Sequence, residues 1–264
     1  MIKLNGTIID VTIFPDKTSQ VWKVPQSCFE GKSYNIKWEF ENEAELFHIC
    51  QLVDLIRFGH IPKKIILDMS YMPYGRQDKE VNNESTFALY TFSKIINSLK
   101  LDRITTLDAH SNACLMIRDM DNQYPISAIS NAHEASGADC QGFPDKGASD
   151  RYLCNPEDII GHKVRDQLTG WITDYRIEGD PKDKSILIVD DICDGGMTFK
   201  LMAKALYEQG AKEVHLYVTH GIFSKGVETL RESGIKRIFT KDGEYQGKLH
   251  KLSDSTMSSE LSNM

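Results

Sequence analysis

Three carboxylates, Asp190, Asp191 and Asp194, follow the apolar run 186–189, and Gly195, Gly196, Met197 and Thr198 come directly after them. Charge at the end of a buried strand is costly unless it is paired or used. Two adjacent acids there suit the hydroxyls of a sugar, which need acceptors, or a hydrated Mg²⁺. The two glycines permit a tight turn and close backbone approach. A helix starting near Met197 would turn its first N–H groups into that loop, a geometry that holds phosphate, with Thr198 adding a hydroxyl donor. A plain helix cap by Asp194 accounts for one or two of these features and leaves the rest of the run without a reason.

Four further stretches place reactive side chains after short apolar runs. YMPYGRQDKE, residues 71–80, carries Arg76, a planar donor fork for phosphate oxygens, among tyrosines whose rings can stack on a base. LDAHSN, residues 107–112, sets Asp108 and His110 just beyond a strand candidate. FPDKGASDRY, residues 143–152, contains Asp145 and Lys146. GHKVRD, residues 161–166, spaces Lys163 and Arg165 two apart, so both lie on one side of an extended chain.

The elements that must position these residues alternate between strand and helix. The first 40 residues are strand-rich (GTIIDVTIF, SQVWKVP, SYNIKWEF), and Asn42 with Glu45 forms a capping box ahead of a helix carrying Leu46, Ile49, Cys50, Val53 and Ile56. KKIILDMS at 63–70 reads as a strand, 84–100 as a helix, ITTLDAH as a strand, and YPISAIS as a fourth short strand closing this half near residue 130. From about 136 the pattern restarts: KSILIVDD is a strand, 197–209 a helix ended by Gly210, EVHLYVTH a strand, 224–232 a short helix and IKRIFT a strand. Such alternation predicts mostly parallel sheets with right-handed crossovers, and ligands in such sheets bind beyond the carboxyl ends of the strands. The last 14 residues are polar, and composition leaves a frayed end and a short docked helix equally open.

Composition narrows the class. A net charge of -7 argues against general nucleic-acid binding, while a local basic cluster can still receive a small phosphorylated substrate. The six cysteines lack the paired short spacing of a zinc site or disulfide framework. With no secretory, membrane-spanning or lipidation signal, the expected setting is cytoplasmic, with no membrane partner.

VDDICDGGMT resembles the phosphoribosyl-diphosphate signature of the type I phosphoribosyltransferase fold, with Gly195 where Thr is common and Met197 where a second Gly is common. The resemblance implies that Asp190 and Asp191 bind ribose hydroxyls and that Asp194, Gly195, Gly196, Met197 and Thr198 hold the 5-phosphate. That loop alone leaves open a phosphoribosyltransferase, which consumes phosphoribosyl diphosphate with a nucleobase, and the synthetase that makes it. YMPYGRQDKE resembles the ATP-contacting loop of the ribose-phosphate diphosphokinase family, implying that Arg76 and Gln77 contact ATP and Asp78 supports the loop. LDAHSN is similar to that family's Asp-Leu-His element, which gives His110 the Mg²⁺ carried by the nucleotide and makes Asp108 an orienting residue. By the same likeness Asp145 faces a second metal and the ribose, and Lys163 with Arg165 matches a catalytic Lys-x-Arg pair. YVTHGIFSKG, residues 217–226, continues the match, with His220 structural. KWEFENEAE resembles the element that lends an aromatic residue and an acid to a neighbour's adenine pocket, giving Phe40 and, in place of the acid, Asn42.

The resemblance implies two phosphoribosyltransferase-like α/β domains with mainly parallel sheets and the active site between them. Residues 1–135 would form the N-terminal domain with the ATP loop, and 136–264 the C-terminal domain with the ribose 5-phosphate loop. The expected enzyme is a ribose-phosphate diphosphokinase using Mg²⁺, ATP and ribose 5-phosphate, assembled as a homo-oligomer of at least two and up to six copies. The rivals are the phosphoribosyltransferase and a noncatalytic regulatory homologue of the synthetase.

Overall fold

The computed structural model describes residues 1–80, 82, 84–152, 154–165 and 172–247, with the side chains of 164, 165 and 172–174 outside that set. These residues form two compact units, the first holding 1–106, 113–121 and 247, the second 107–112 and 122–246.

In the first unit the order is β1 (Ile2–Leu4), β2 (Thr7–Ile8), β3 (Val11–Ile13), β4 (Ser19–Val21), β5 (Ser33–Trp38), α1 (Ala44–Gly59), β6 (Lys64–Met69), α2 (Ala88–Ser98), β7 (Arg103–Leu107) and β8 (Met120–Gln123), with Leu107, Asn122 and Gln123 at the ends of the last two strands belonging to the second unit. The sheet runs β2-β1-β5-β6-β7-β8, and β3 and β4 form a separate hairpin. Strands β5, β6 and β7 are parallel, with β1 antiparallel at their side. The period-two pattern is visible on β5, where Tyr34, Ile36 and Trp38 are buried and the residues between them are exposed. Helix α1 buries Ile49, Leu52, Val53 and Ile56 at helical spacing, and α2 buries Leu89, Phe92 and Ile96.

The entry to α1 departs from the expected capping box. The Asn42 side chain accepts from the Ala44 N–H at 3.1 Å, whereas the Glu45 carboxylate takes the Glu41 N–H at 2.8 Å and the Trp38 indole at 2.9 Å. The buried indole donor needs an acceptor, and Glu45 is drawn to it instead of closing the box on Asn42.

The second unit contains α3 (Ile126–Ser136), β9 (Cys140–Phe143), α4 (Lys146–Tyr152), β10 (Ile159–Arg165), β11 (Ile172–Glu178), β12 (Ser185–Cys193), α5 (Met197–Glu208), β13 (Glu213–Gly221), α6 (Glu228–Glu232), β14 (Ile235–Thr240) and β15 (Gly243–Glu244). Its sheet order is β11-β10-β9-β12-β13-β14-β15, parallel from β10 to β14 and antiparallel at both ends. The central strand β12 is apolar on both faces because both are covered. Ile186 and Ile188 join Phe199, Met202 and Leu206 of α5, while Leu187 and Val189 join Ile129 and Ala132 of α3.

That second cluster corrects the reading of YPISAIS as a strand. Pro125 precedes the first turn, Ile129 and Ala132 share one helical face, and Gly137 ends the helix in the left-handed conformation at φ +65°. Because α3 packs on the second sheet, the chain divides before residue 126, earlier than the 135/136 boundary expected from the sequence. Helix α6 is also shorter than the 224–232 segment, and Gly210 at φ +91° follows α5 as anticipated.

From β9 the chain crosses to β10 on one side, and β12 then returns to the other side of β9 and leads on to β13. The carboxyl ends of β9 and β12 are thus the topological switch point of this sheet, where open α/β sheets receive ligands. No helix among the described residues is long and apolar enough to cross a membrane.

Candidate functional site

The apolar stretch of β12 carries Asp190 and Asp191 to the switch point, within the strand's last turns of pleat and not beyond them. Asp191 is 2% exposed. It accepts from the Arg151 guanidinium at 2.7 Å and faces His110 Nδ1 at 2.8 Å. The same guanidinium lies 3.7 Å from Asp190 Oδ1 and donates to the His110 carbonyl. Burial alone would raise the Asp191 carboxyl, but the His110 hydrogen bond and the Arg151 charge outweigh it and hold it well below the usual carboxylate range. Asp190 moves the other way, pushed up by burial and by the charge of Asp191. The two neighbouring carboxyls thus differ in proton affinity, Asp191 lowered and Asp190 raised.

Asp145, between β9 and α4, pairs with Lys163 of β10 at 2.9 Å and accepts the Ala148 N–H at 3.0 Å. Burial raises its carboxyl, and the hydrogen bond and charge of Lys163 reverse this to a net lowering. Arg165 ends β10 in register with Ile172, and its side chain lies outside the described residues. Asp108 is 1% exposed and sits at φ +53°. Its Oδ2 accepts from the Tyr152 hydroxyl at 2.6 Å and from the Thr219 hydroxyl. Burial pushes its carboxyl up, against the pull of those two hydroxyls. His220 holds the Leu107 carbonyl at 2.8 Å, a structural contact.

The loop after β12 opens α5 with Gly196 at φ +74°, an N-cap residue with no side chain to offer the first-turn N–H groups. Asp194 accepts from the Ser224 hydroxyl. Thr198 is half-buried, Met197 is 58% exposed, and a Cβ on Gly195 would lie 3.6 Å from the Lys225 stem. A Cβ on Gly196 would meet Leu230 Cδ2 at 2.8 Å. Gly196→Ala should therefore lose roughly 1–3 kcal/mol in urea unfolding through strain and overpacking, whereas Gly195→Ala should stay within about 0.5 kcal/mol.

In the first unit, the loop 71–80 follows β6. Tyr71 packs on Phe40 with ring centroids 6.2 Å apart, and Phe40 packs on Trp38 at 5.7 Å. Tyr74, at φ +62°, lies 5.4 Å from the Phe92 ring and donates to Glu43 at 2.8 Å. Burial, then Glu43, pushes its phenol up to about 12. The Gln77 N–H bonds the Tyr74 carbonyl at 2.9 Å, and the Gln77 carbonyl receives the Leu89 N–H of α2 at 3.1 Å. This scaffold leaves Arg76 and Gln77 exposed and Asp78 half-buried, with Asn42 exposed at the entry to α1.

The structure thus brings His110, Asp190 and Asp191 into one cluster beside the Asp145–Lys163 pair, and groups Phe40 with the 71–80 loop. Sequence reasoning missed Arg151, the cation on which the cluster turns. A signal existed: two acids on a buried strand require a neutralising partner, and Arg151 is the one arginine of the FPDKGASDRY stretch.

The phosphoribosyl transferase domain family matches residues 153–249. A ribose-phosphate pyrophosphokinase of Cereibacter sphaeroides is 31% identical over 211 residues, which are 75% of this chain and 62% of that protein. Ribose-phosphate pyrophosphokinase 4 of Saccharomyces cerevisiae is 29% identical over 73% of this chain and 60% of its own length. The chain therefore spans about three fifths of these curated relatives. The fold matches that of a phosphoribosylpyrophosphate synthetase from Mycobacterium smegmatis with a TM-score of 0.71 and 22% identity, over 88% of this chain and 79% of that one. With the carboxylate loop, the Arg-Gln-Asp loop and His110 set on two units of mainly parallel sheet, the chain is similar in sequence to ribose-phosphate pyrophosphokinases and has the fold of a phosphoribosylpyrophosphate synthetase.

Proposed function

We propose that the protein is a ribose-phosphate diphosphokinase, transferring the β,γ-diphosphoryl group of ATP to the C1 hydroxyl of ribose 5-phosphate to give 5-phosphoribosyl 1-diphosphate and AMP. The observation that carries this reading is His110, which the chain leaving β7 delivers onto Asp191 at 2.8 Å. A transferase built on the carboxylate loop alone has no use for that histidine or for the 71–80 loop.

Asp190 and Asp191 orient the ribose hydroxyls, and the glycine-opened start of α5 with Thr198 anchors the 5-phosphate. Arg76 and Gln77 bind the nucleotide phosphates, Asp78 supports their loop, and Tyr71 offers a ring face to the base. Lys163 and Arg165 offset charge on the group in transfer, a reaction that needs positioning and neutralisation more than covalent chemistry.

Among the described residues no three His, Cys, Asp or Glu side chains converge as a metal site. His110 has Nδ1 turned to Asp191, and Asp145 shares one oxygen with Lys163. His110 and Asp145 would each hold Mg²⁺ only as a single anchor point, the Asp145 oxygens being shared with Lys163 and the Ala148 N–H, and the nucleotide phosphates would supply the remaining oxygen ligands. When bound, the ion supplies charge neutralisation to the diphosphate. We also place the chain in a cytoplasmic homo-oligomer, a dimer or larger, in which Phe40 and Asn42 serve a neighbour's adenine pocket.

Chromatography of AMP from ATP and ribose 5-phosphate, with magnesium present, tests the reading. AMP should appear only with both substrates. Arg76→Ala should lower kcat/KM for ATP roughly ten- to hundred-fold, the worth of one charge-assisted contact of about 1.5–3 kcal/mol. Diphosphate release from phosphoribosyl diphosphate that needs a nucleobase, with no ATP turnover, would assign the chain to the transferases instead.

A further inference from the structure

His110 owes its place on Asp191 to the short turn 107–110, and every residue of that turn is held by the second unit. The Leu107 carbonyl receives His220 Nε2 at 2.8 Å, the Asp108 N–H reaches the Gln123 carbonyl at 2.7 Å, and the Ala109 N–H reaches Asn122 Oδ1 at 2.9 Å. The His110 carbonyl takes the Arg151 guanidinium. Asp108 is the pivot. Its positive φ is one that few side chains accept outside Gly, Asn and Asp. One carboxylate oxygen then gathers a hydroxyl from α4, Tyr152, and one from β13, Thr219. Tyr152 adjoins Arg151 in sequence, so the oxygen that fixes the turn also fixes the helix carrying the guanidinium.

The other oxygen, Asp108 Oδ1, is buried with no partner among the described residues. An unsatisfied buried carboxylate oxygen is costly and calls for a reason. At 1% exposure, with Oδ2 committed to two hydroxyls, Asp108 has no open side toward substrate or cation.

We infer that Asp108 is a positioning residue, which together with Tyr152 and Thr219 fixes the turn that sets the His110 ring against Asp191. Its kinetic consequence rests on the proposed reaction, but its structural consequence does not. Removing either partner should leave His110 present and its ring misplaced.

The test uses the full chain with ¹⁵N-labelled histidine, reading the His110 ring by long-range ¹H–¹⁵N correlation and assigning it by its loss in His110→Gln. In Thr219→Val and Asp108→Ala the hydrogen-bonded Nδ1 resonance should move or broaden. Turnover should fall about tenfold, as for one lost contact, with KM for ribose 5-phosphate nearly unchanged. Thr219→Ser and Asp108→Asn, which keep the hydroxyl and an acceptor, should restore the ring signal and most of the turnover. Tyr152→Phe removes a hydroxyl from the same oxygen at constant volume, and it decides the matter if the other two variants fail to fold. A His110 resonance unchanged in folded loss variants would overturn the inference and leave Asp108 a packing residue. A wild type that makes no AMP would overturn the proposed function, and the ring signal would still decide the positioning.

Discussion

Arg151→Met should destabilise the second unit by about 3–5 kcal/mol at neutral pH, as removal of one partner from a buried ion pair does. The guanidinium side chain is 12% exposed and Asp191 only 3%, so solvent screens little of the interaction. Three groups lose their donor at once: Asp191, the His110 carbonyl and, at longer range, Asp190. Methionine fills the space of the stem without supplying a charge, which makes the loss electrostatic and not a cavity effect. In the proposed reaction AMP formation should fall with stability, because Asp190, Asp191 and His110 all share this cation.

The sign of the pH dependence follows from the two carboxyls. Burial opposes the lowering of Asp191, but His110 and Arg151 prevail. Its stabilising contribution is therefore complete above the unfolded value of about 3.9 and lost as pH falls through the folded one. Asp190 is raised by burial and by Asp191, so its contribution is complete below the unfolded value and lost as pH rises through the folded one. Without Arg151 both carboxyls move up from where they stand, because its charge lowers each of them. The deficit of the variant should be largest near neutrality and shrink toward about pH 5, where protonation relieves the repulsion. Urea unfolding across that range measures it. A deficit that is constant with pH would mean that Arg151 acts through packing alone.

What the sequence made legible was whatever depends on local pattern. The doubly buried run of β12, the glycine-bounded helix α5 and the period-two burial of β5 all follow from side chains that answer to their nearest neighbours. So does the extended arrangement of Lys163 and Arg165 on β10. YPISAIS misled because four apolar positions in seven fit either period, and the face that settles it is the distant one of Leu187 and Val189. Asn42 and Glu45 misled for a similar reason, since the Trp38 indole competes for Glu45. The candidate site was legible as a set of strand-end motifs. Its organisation was not, because Arg151, Tyr152 and Thr219 act across 40, 44 and 111 residues of chain. A pattern read along the chain carries no record of such pairings.

Lys163→Ala should show the opposite division between stability and catalysis. The ammonium is 16% exposed, but its partner Asp145 is 45% exposed, and solvent screens a pair of that kind. The cost in stability should stay within about 1 kcal/mol. Catalysis is another matter. In the proposed reaction the lysine offsets charge that builds up on the transferring group, and loss of one such preorganised donor removes about 2.7–4 kcal/mol of transition-state stabilisation. Turnover of ATP to AMP should therefore fall roughly 10²–10³-fold, while KM for ribose 5-phosphate changes little. Lys163→Arg should recover only part of it, since a planar fork does not reproduce a compact point charge at the end of a flexible stem. Steady-state AMP formation and urea unfolding on the same preparations separate the two effects. A large stability loss with turnover intact would make the Asp145–Lys163 contact a structural salt bridge. A small stability loss with a steep fall in turnover is the result expected of a lysine held at the site by one carboxylate and used on a phosphoryl group.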